Sequence, residues 1–234
     1  MNDTAAAKFD SSRAAEYEQQ SRIALAGYDA CHELAACILA ATLGSGSRAE
    51  ILVAGAGGIA NEIVTAGKLE PNWTFVAVDP SQPMLDLAMR RVTAANLIDR
   101  TEAVAGRVAD LSATRMFDAA MLVGVLHHLP GRDAKSGILR DIAARLKPNS
   151  PLILASNHHA YTAEPLLMAA WGERWRMNGA SAEDVKAKLG RILQGADPPE
   201  SEDEIARLLD EAGFQRPKRF FSSLFWGAWV TLRR

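Results

Sequence analysis

The chain has 234 residues, of which 48% are hydrophobic, and a formal net charge of −2. A chain of this length and composition can bury one good core, so we expect a single domain over residues 1–234. The nearly balanced charge argues against binding to nucleic acid or to an anionic membrane through net positive charge. The first residues lack the apolar segment of a signal peptide, and no apolar stretch approaches a membrane-spanning length. We therefore expect a soluble, cytoplasmic protein, with Cys31 and Cys37 as small buried residues in a reducing compartment.

Apolar periodicity divides the chain into alternating helices and strands up to about residue 156. The predicted strands cover residues 51–55, 73–79, 101–105, 117–125 and 152–156. The predicted helices cover residues 23–43, 61–67, 81–95 and 133–146. Almost wholly apolar strands that alternate with helices indicate a parallel, doubly wound α/β sheet, because such strands are covered on both faces.

The pattern changes after residue 156. Two helices at 163–177 and 182–193 predict a helical insert over residues 157–200, which we expect to cover the acceptor side of a site. A helix at 201–212 begins with a capping box between Ser201 and Glu204. The strands predicted at 214–221 and 224–232 are joined by a short turn at Ser222-Ser223, so they must pair antiparallel. Residues 1–47 are expected to form an N-terminal helical cap.

A glycine-rich turn, AGAGG, follows the first predicted strand and passes directly into a helix, and the next strand ends at Asp79. This order is typical of a nucleotide-binding βαβ unit. Glycines let the backbone approach a ligand, a helix N-terminus favours negative charge, and Asp79 can accept hydrogen bonds from a ribose diol. The alternative is a tight turn and a surface acid in a domain that binds no cofactor. An NAD dehydrogenase fits less well, because Ile59 stands where that motif needs a small residue.

Two histidine pairs follow predicted strands. His127-His128 lies at the carboxyl end of the fourth strand, where open α/β sheets bind ligands, and His158-His159 follows the fifth. A histidine at such a position can act as a base or contact substrate, but a structural or merely pocket-lining role is more frequent. The spacings include no His-x-x-x-His and no thiolate pair at ligand distance, so we expect no metal site.

Five blocks of the sequence resemble, in order and interval, those of the class I S-adenosylmethionine-dependent methyltransferases. They are ILVAGAGG, FVAVDPSQPML, FDAAMLVGVLHHLP, ILRDIAARLKPNSPLIL and the terminal strand pair. The resemblance implies a Rossmann-like, mostly parallel seven-stranded sheet with its last strand antiparallel. It also implies S-adenosylmethionine as the cofactor and S-adenosylhomocysteine as the product. The cofactor-binding residues that it implies are Tyr28, Gly55, Ala56, Gly57, Asp79, Pro80, Met84, Arg107, Val108, Val123 and Gly124.

The sequence departs from the family pattern at three places in the cofactor region, one of which is Ile59 in place of a third glycine. Val53 stands where the family usually has an acid that helps to hold the methionine ammonium. Arg107 stands where an acid usually reads the adenine amino group, so the resemblance leaves only the backbone amides of Arg107 and Val108 for that contact.

The C-terminal part is similar to the carboxy-S-adenosylmethionine synthases of tRNA wobble-uridine modification, in AWGERWRMNGASAEDV and GFQRPKRFFSSLFWGAWVTL. Leu189 aligns near the arginine that reads the extra carboxylate in that group, and a leucine cannot pair with a charge. We expect Lys188 and Arg191 on other faces of the helix, so ordinary S-adenosylmethionine is the predicted ligand.

The insert offers candidate contacts for an acceptor. Trp171 and Trp175 share one helix face by their four-residue spacing. That face is either part of the core or a lid that stacks on the acceptor, and with His128 the two tryptophans are the predicted substrate-binding residues. The aromatic residues of the last two strands either pack the sheet edge or, if exposed together, form a homodimer contact.

The predicted function is methyl transfer from S-adenosylmethionine to a small-molecule acceptor, with a specialised metabolite as one candidate. Because the sulfonium is already a strong electrophile, the protein need only align the reacting atoms and exclude water. Two alternatives stay open: a carboxy-S-adenosylmethionine synthase-like enzyme, and a non-catalytic S-adenosylmethionine-binding regulator.

Overall fold

The computed structural model describes residues 11–234, and side chains from residue 18 onward. Residues 1–10 of the predicted N-terminal cap lie outside this range. The strands are β1 Ala49–Ala54, β2 Trp73–Asp79, β3 Thr101–Ala105, β4 Ala119–Val123, β5 Pro151–Asn157, β6 Lys218–Ser223 and β7 Trp226–Leu232. They form one sheet in the order β3-β2-β1-β4-β5-β7-β6, in which β7 runs antiparallel to both neighbours. The predicted α/β sheet, with seven strands and an antiparallel last strand, is confirmed.

Helices cover both faces of this sheet. They are α1 Ser11–Ala24, α2 Tyr28–Leu43, α3 Asn61–Leu69, α4 Gln82–Ala94, α5 Gly131–Ala143, α6 Pro165–Met177, α7 Ala182–Gly195 and α8 Glu202–Glu211. Strand residues alternate between the two faces, so Ile51 packs with α2, α3 and α4, whereas Leu52 packs with α5 and α8. Both side chains are fully buried, which is why the parallel strands read as continuous apolar runs.

The single helix predicted over residues 23–43 is wrong. The chain breaks after α1 and restarts at α2, because Gly27 adopts the left-handed conformation with φ of 81°. Leu25 is buried within this break, and a Cβ on Gly27 would come within 3.3 Å of the Phe221 ring. No single helix in the described range is long and apolar enough to cross a membrane; Glu18–Ala24 and Tyr28–Leu43 pass that test only as a pair bent by 85°.

Smaller corrections concern the ends of elements. Ser201 accepts a hydrogen bond from the backbone of Glu204 as predicted, but the Glu204 carboxylate accepts from Glu200 instead of completing the capping box. The turn between β6 and β7 is formed by residues 224–225 and not by Ser222-Ser223. Cys31 is buried and Cys37 is exposed, so only the first fits the predicted burial, and both thiols are free.

Candidate cofactor and acceptor site

One cavity of about 870 Å³ lies at the carboxyl ends of β1, β2, β4 and β5. Its volume falls in the range of ordinary small-molecule sites, and its position is where open α/β sheets bind ligands. The predicted site residues that line it are Tyr28, Gly55, Gly57, Asp79, Pro80, Met84, Val123, Gly124, His128, Trp171 and Trp175. The structure therefore brings most of the predicted cofactor and substrate residues to the same cavity.

Asp79 is held against the glycine turn by two backbone hydrogen bonds. The N–H of Gly57 donates to Asp79 Oδ2 at 2.9 Å, and the N–H of Ser81 donates to Oδ1 at 2.8 Å. Burial raises the pKa of the Asp79 carboxyl, and these two N–H donors act in the opposite direction. Because each carboxylate oxygen has a second lone pair, Asp79 can still accept two hydrogen bonds from a ligand diol.

The two anchor glycines are required by the packing of the chain itself. A Cβ on Gly57 would lie 2.6 Å from Asp79 Oδ2 and 2.7 Å from Met84 Cβ. Gly55 has φ of 69°, and a Cβ there would lie 2.3 Å from a methyl carbon of Val125. Neighbouring protein atoms therefore already require glycine at both positions, and the approach of a ligand to this backbone stays a prediction.

Three predicted cofactor residues do not line the cavity. Ala56 is fully buried, and its N–H donates to the carbonyl of Val78. The N–H of Arg107 donates to Asp110 Oδ2 at 2.8 Å, so this amide already has a partner within the chain. Val108 is buried in the core beneath the sheet. The predicted backbone contact of Arg107 and Val108 with adenine stays a prediction that this geometry does not favour.

The insert forms the opposite wall of the cavity. Trp171 and Trp175 are both buried, and Trp171 Nε1 donates to the carbonyl of Ala24 at 2.8 Å. Arg174 fixes the same helix by donating to the carbonyls of Arg22 and Ile23 at the end of α1. The two tryptophans are thus buried, as the core alternative predicts, and they also line the cavity; that they stack on an acceptor stays a prediction.

Helix α7 brings positive charge to this wall. Lys188 and Arg191 line the cavity, whereas Leu189 is not among its lining residues and lies against Gly172. Lys188 Nζ stands 4.0 Å above the ring of Trp175, a cation–π contact. Lys188 and Arg191 do lie on other helix faces than Leu189, as predicted, but their side of the helix and not that of Leu189 meets the cavity. Leu189 therefore gives no argument about the charge of the ligand.

The histidine pairs divide into buried and cavity-lining members. His127 lines the cavity, and burial, with smaller effects of His128 and Lys135, lowers its pKa well below the usual value. His158 is buried, and its Nδ1 lies 3.0 Å from the carbonyl oxygen of Phe225. Burial lowers the pKa of His158 to about 4, so this histidine is neutral and structural. Among the described residues, no three histidine, cysteine, aspartate or glutamate side chains are grouped as metal ligands would be.

Other residues that line the cavity were not among the predicted cofactor- and substrate-binding residues. They include His32, Ile59, Glu62, His127, Asn157, Lys188 and Arg191. Glu62 had a signal, an acid in the first helical turn after the glycine turn. His32 had none, because its approach to Glu62 depends on how α2 packs on α3. The terminal aromatic residues pack the sheet edge; Phe225 and Trp229 are fully buried, and Trp226 is half-buried on the cavity wall.

Comparison with known proteins concerns the domain and the fold. Residues 52–149 match the model of a methyltransferase domain. None of the curated proteins compared matches the sequence. The solved structures that resemble the chain include an O-methyltransferase family protein from Burkholderia thailandensis, with TM-score 0.61 and 19% identity over 92% of this chain and 62% of that one. The mitomycin 7-O-methyltransferase is similar with TM-score 0.61 and 20% identity, over 86% of this chain and 54% of that one.

A third similar structure is human N-acetylserotonin methyltransferase in complex with S-adenosylmethionine. It has TM-score 0.57 and 13% identity, over 85% of this chain and 51% of that one. This chain spans little more than half the length of these proteins, and at such identities the likeness concerns the fold. The matched domain, the strand order and the glycine turn with Asp79 agree with one another. Residues 52–149 therefore match a methyltransferase domain, within a seven-stranded α/β fold of the methyltransferase type.

Proposed function

We propose that this protein transfers the methyl group of S-adenosylmethionine to a small-molecule acceptor. One observation carries the proposal: a single cavity is lined on one side by the glycine turn with Asp79 and on the other by the helical insert. A cofactor held at the first wall would face an acceptor held at the second. The mitomycin and N-acetylserotonin enzymes are named for small-molecule acceptors, which supports the same substrate class here.

The residues on the first wall fit the cofactor. Asp79 retains free lone pairs for the ribose hydroxyls, and Met84 and Val123 offer apolar contacts to the flat purine ring. When bound, the cofactor supplies an activated methyl group, so no nucleophile or metal from the protein is needed. Arg107 and Val108 are not required for this proposal.

The second wall would orient the acceptor and exclude water. Trp171, Trp175 and Tyr161 form a largely buried aromatic surface, and Lys188 and Arg191 add positive charge beside it. Alignment and exclusion of water account for much of the rate of such transfers. His128 lines the cavity beside the buried, neutral His127 and is the candidate proton acceptor if the substrate must lose a proton. The setting we propose is cytoplasmic and biosynthetic, with specialised metabolism as one candidate.

The test is product formation with a panel of acceptors. The full chain is incubated with S-adenosylmethionine and with phenols, amines, carboxylic acids or thiols, and S-adenosylhomocysteine and methylated products are measured by mass spectrometry. We expect at least one class to raise S-adenosylhomocysteine above the rate without acceptor. If no class does so although S-adenosylhomocysteine still binds, the non-catalytic regulator is favoured instead.

A second candidate is an enzyme related to the carboxy-S-adenosylmethionine synthases. The specific observation in its favour is that Lys188 and Arg191 line the cavity, where a carboxylate on the cofactor could pair with them. Offering the protein both cofactor forms and identifying the bound species by mass spectrometry separates the two. Recovery of the unmodified cofactor supports methyl transfer, and recovery of the carboxylated form supports the second candidate.

A further inference from the structure

Glu62 is a buried acid in the cofactor cavity that has no described role. It lies in the first turn of α3, directly after the glycine turn, and its residue exposure is 9%. Glu62 and Asp79 are the acidic residues among those lining the cavity. Asp79 is already committed to the two backbone N–H groups that hold it against the turn. Glu62 therefore places a second carboxyl in the same cavity, at the α3 side of the turn.

The described neighbours of Glu62 give it no positive charge. Its ion contact among residues 18–234 is with His32, whose Nε2 lies 3.8 Å from Glu62 Oε2. His32 Nδ1 lies 2.8 Å from the carbonyl oxygen of Tyr28, and because a carbonyl only accepts, Nδ1 carries the proton. In a neutral ring the Nε2 atom that faces Glu62 then has a lone pair and no proton. Burial lowers the pKa of His32, which keeps the ring neutral at pH 7.

A buried carboxyl without a cation favours its protonated form. Burial raises the pKa of Glu62 to about 7; a backbone hydrogen bond acts against this shift, and the charge of Asp79 adds to it. Besides His32, the other charged or titratable groups among the described residues that line the cavity are Lys188 and Arg191 of α7, His127, His128, Tyr28 and Tyr161. They line the same cavity, but none forms an ion pair with Glu62.

S-adenosylmethionine carries two positive centres, a sulfonium without N–H groups and an α-ammonium with three. Only the ammonium can both neutralise a carboxylate and donate hydrogen bonds to it. Since Asp79 is positioned for the ribose, the amino acid (3-amino-3-carboxypropyl) end of the cofactor is the part left to meet Glu62. Val53, where the family resemblance predicts an acid, is apolar and buried, so it cannot supply this charge.

We propose that Glu62 is the counter-charge for the α-ammonium of the cofactor, and that cofactor binding drives this carboxyl into its ionised form. The inference rests on cofactor binding and is independent of which acceptor is methylated. Its physical consequence is proton release on binding. Affinity for the cofactor should therefore fall as the pH drops below about 7, since the carboxyl must then lose a proton before it can pair.

The experiment is calorimetry with S-adenosylhomocysteine, which keeps the amino acid chain with its α-ammonium and is not consumed. Titration of the full chain in phosphate and in Tris, whose ionisation enthalpies differ, gives the number of protons released. For the wild type we expect about half a proton per site at pH 7, rising toward one at pH 6. Glu62→Gln should abolish this proton release. It should also weaken the binding of S-adenosylhomocysteine by about 10- to 100-fold, the usual effect of losing a charged hydrogen-bond partner.

Matched controls separate the proposal from general damage. 5′-Methylthioadenosine has the same nucleoside and a thioether but no amino acid chain, so it should bind the wild type and Glu62→Gln with equal affinity. Glu33→Gln removes an exposed acid on α2 beside His32 and should leave proton release unchanged. Equal loss of both ligands in Glu62→Gln would overturn the proposal, as would absence of proton release in the wild type. The latter measurement needs no variant, so a failure of Glu62→Gln to fold does not prevent the test.

If S-adenosylhomocysteine shows this linkage and no acceptor is methylated, the inference stands and the proposed transferase function fails. If an acceptor is methylated and the linkage is absent, the reverse holds.

Discussion

The two walls of the cavity are built in different ways. The cofactor wall consists of a backbone turn, in which Gly57 and Asp79 are joined by a hydrogen bond at the ends of neighbouring parallel strands. The acceptor wall consists of side chains from α6 and α7, which are fixed by contacts to the end of α1 about 150 positions away in sequence. A wall formed by a tight backbone turn tolerates few amino-acid substitutions. A wall formed by helix side chains can change the groups that it presents while the helices keep their positions. The first wall therefore suits a constant cofactor, and the second suits the proposed acceptor, whose chemistry can vary.

The largest expected effect is on the cofactor wall, at Gly57. Gly57→Ala would place a Cβ 2.6 Å from Asp79 Oδ2 and 2.7 Å from Met84 Cβ, so the turn or Asp79 must move. We expect S-adenosylhomocysteine to bind about 100-fold more weakly by calorimetry, together with a loss of about 1–3 kcal/mol in the free energy of unfolding. Gly137→Ala is the control, because a Cβ there meets nothing within 4 Å on α5. It should gain up to about 1 kcal/mol, and unchanged binding by Gly57→Ala would contradict the rigid turn.

The next effect concerns Asp79, which serves both the turn and the ligand. Asp79→Ala leaves the N–H groups of Gly57 and Ser81 without their acceptor and removes the partner of the ribose. We expect binding of S-adenosylhomocysteine to weaken by about 1.5–3 kcal/mol, with a lower Tm. Asp86→Ala, an exposed acid on α4, should change neither quantity. Equal affinities of the wild type and Asp79→Ala would remove Asp79 from the site.

The same difference between walls explains what the sequence could predict. Apolar strands, the glycine turn and Asp79 are local patterns, and the structure places them as expected. The break at Gly27 was missed because the apolar spacing continues across it, and only the positive φ ends the first helix. Glu62 could be placed next to the turn, but its burial against His32 depends on the packing of α2 on α3.

The acceptor wall was harder to predict because helix orientation is set by long-range contacts. The orientation of α7 follows from its packing on α6, which itself packs on α1, so the sequence alone did not show that Lys188 and Arg191 turn toward the cavity. The alignment from the family resemblance placed Leu189 at the site, whereas Lys188 and Arg191 are the residues of α7 that line the cavity. Periodicity identifies which residues share a face, and tertiary packing decides where that face points.

A pH dependence of the folding stability is expected from His158, which packs against Phe225 and Trp229. His158 follows the end of β5, and its folded-state pKa of about 4 lies below the usual value near 6.5. The neutral ring is favoured by folding, so this stability is fully present above pH 6.5 and is lost as the pH falls toward 4. His158→Gln should reduce the slope of the unfolding free energy plotted against pH, between pH 6.5 and 4.5, by up to about 1.4 kcal/mol per pH unit. Urea unfolding at several pH values measures this slope. Identical slopes for the wild type and His158→Gln would contradict a neutral buried His158.

The smallest expected effect tests whether the acceptor wall can be loosened without disturbing the cofactor wall. Arg174 donates from Nε to the carbonyl of Ile23 at 2.6 Å and from a terminal nitrogen to that of Arg22 at 2.9 Å. Lysine keeps the charge but cannot span both carbonyls in this fork geometry, so Arg174→Lys should lower the unfolding free energy by about 1 kcal/mol. Hydrogen exchange should increase in the amides of α6 and not in those of β1 and β2, and the Kd for S-adenosylhomocysteine should stay within about twofold. Arg176→Lys is the matched control on the same helix, because Arg176 pairs only with Glu173 at the exposed surface. A large loss of cofactor affinity in Arg174→Lys, with Arg176→Lys unaffected, would mean that the two walls form one cooperative unit and that the acceptor side cannot vary independently.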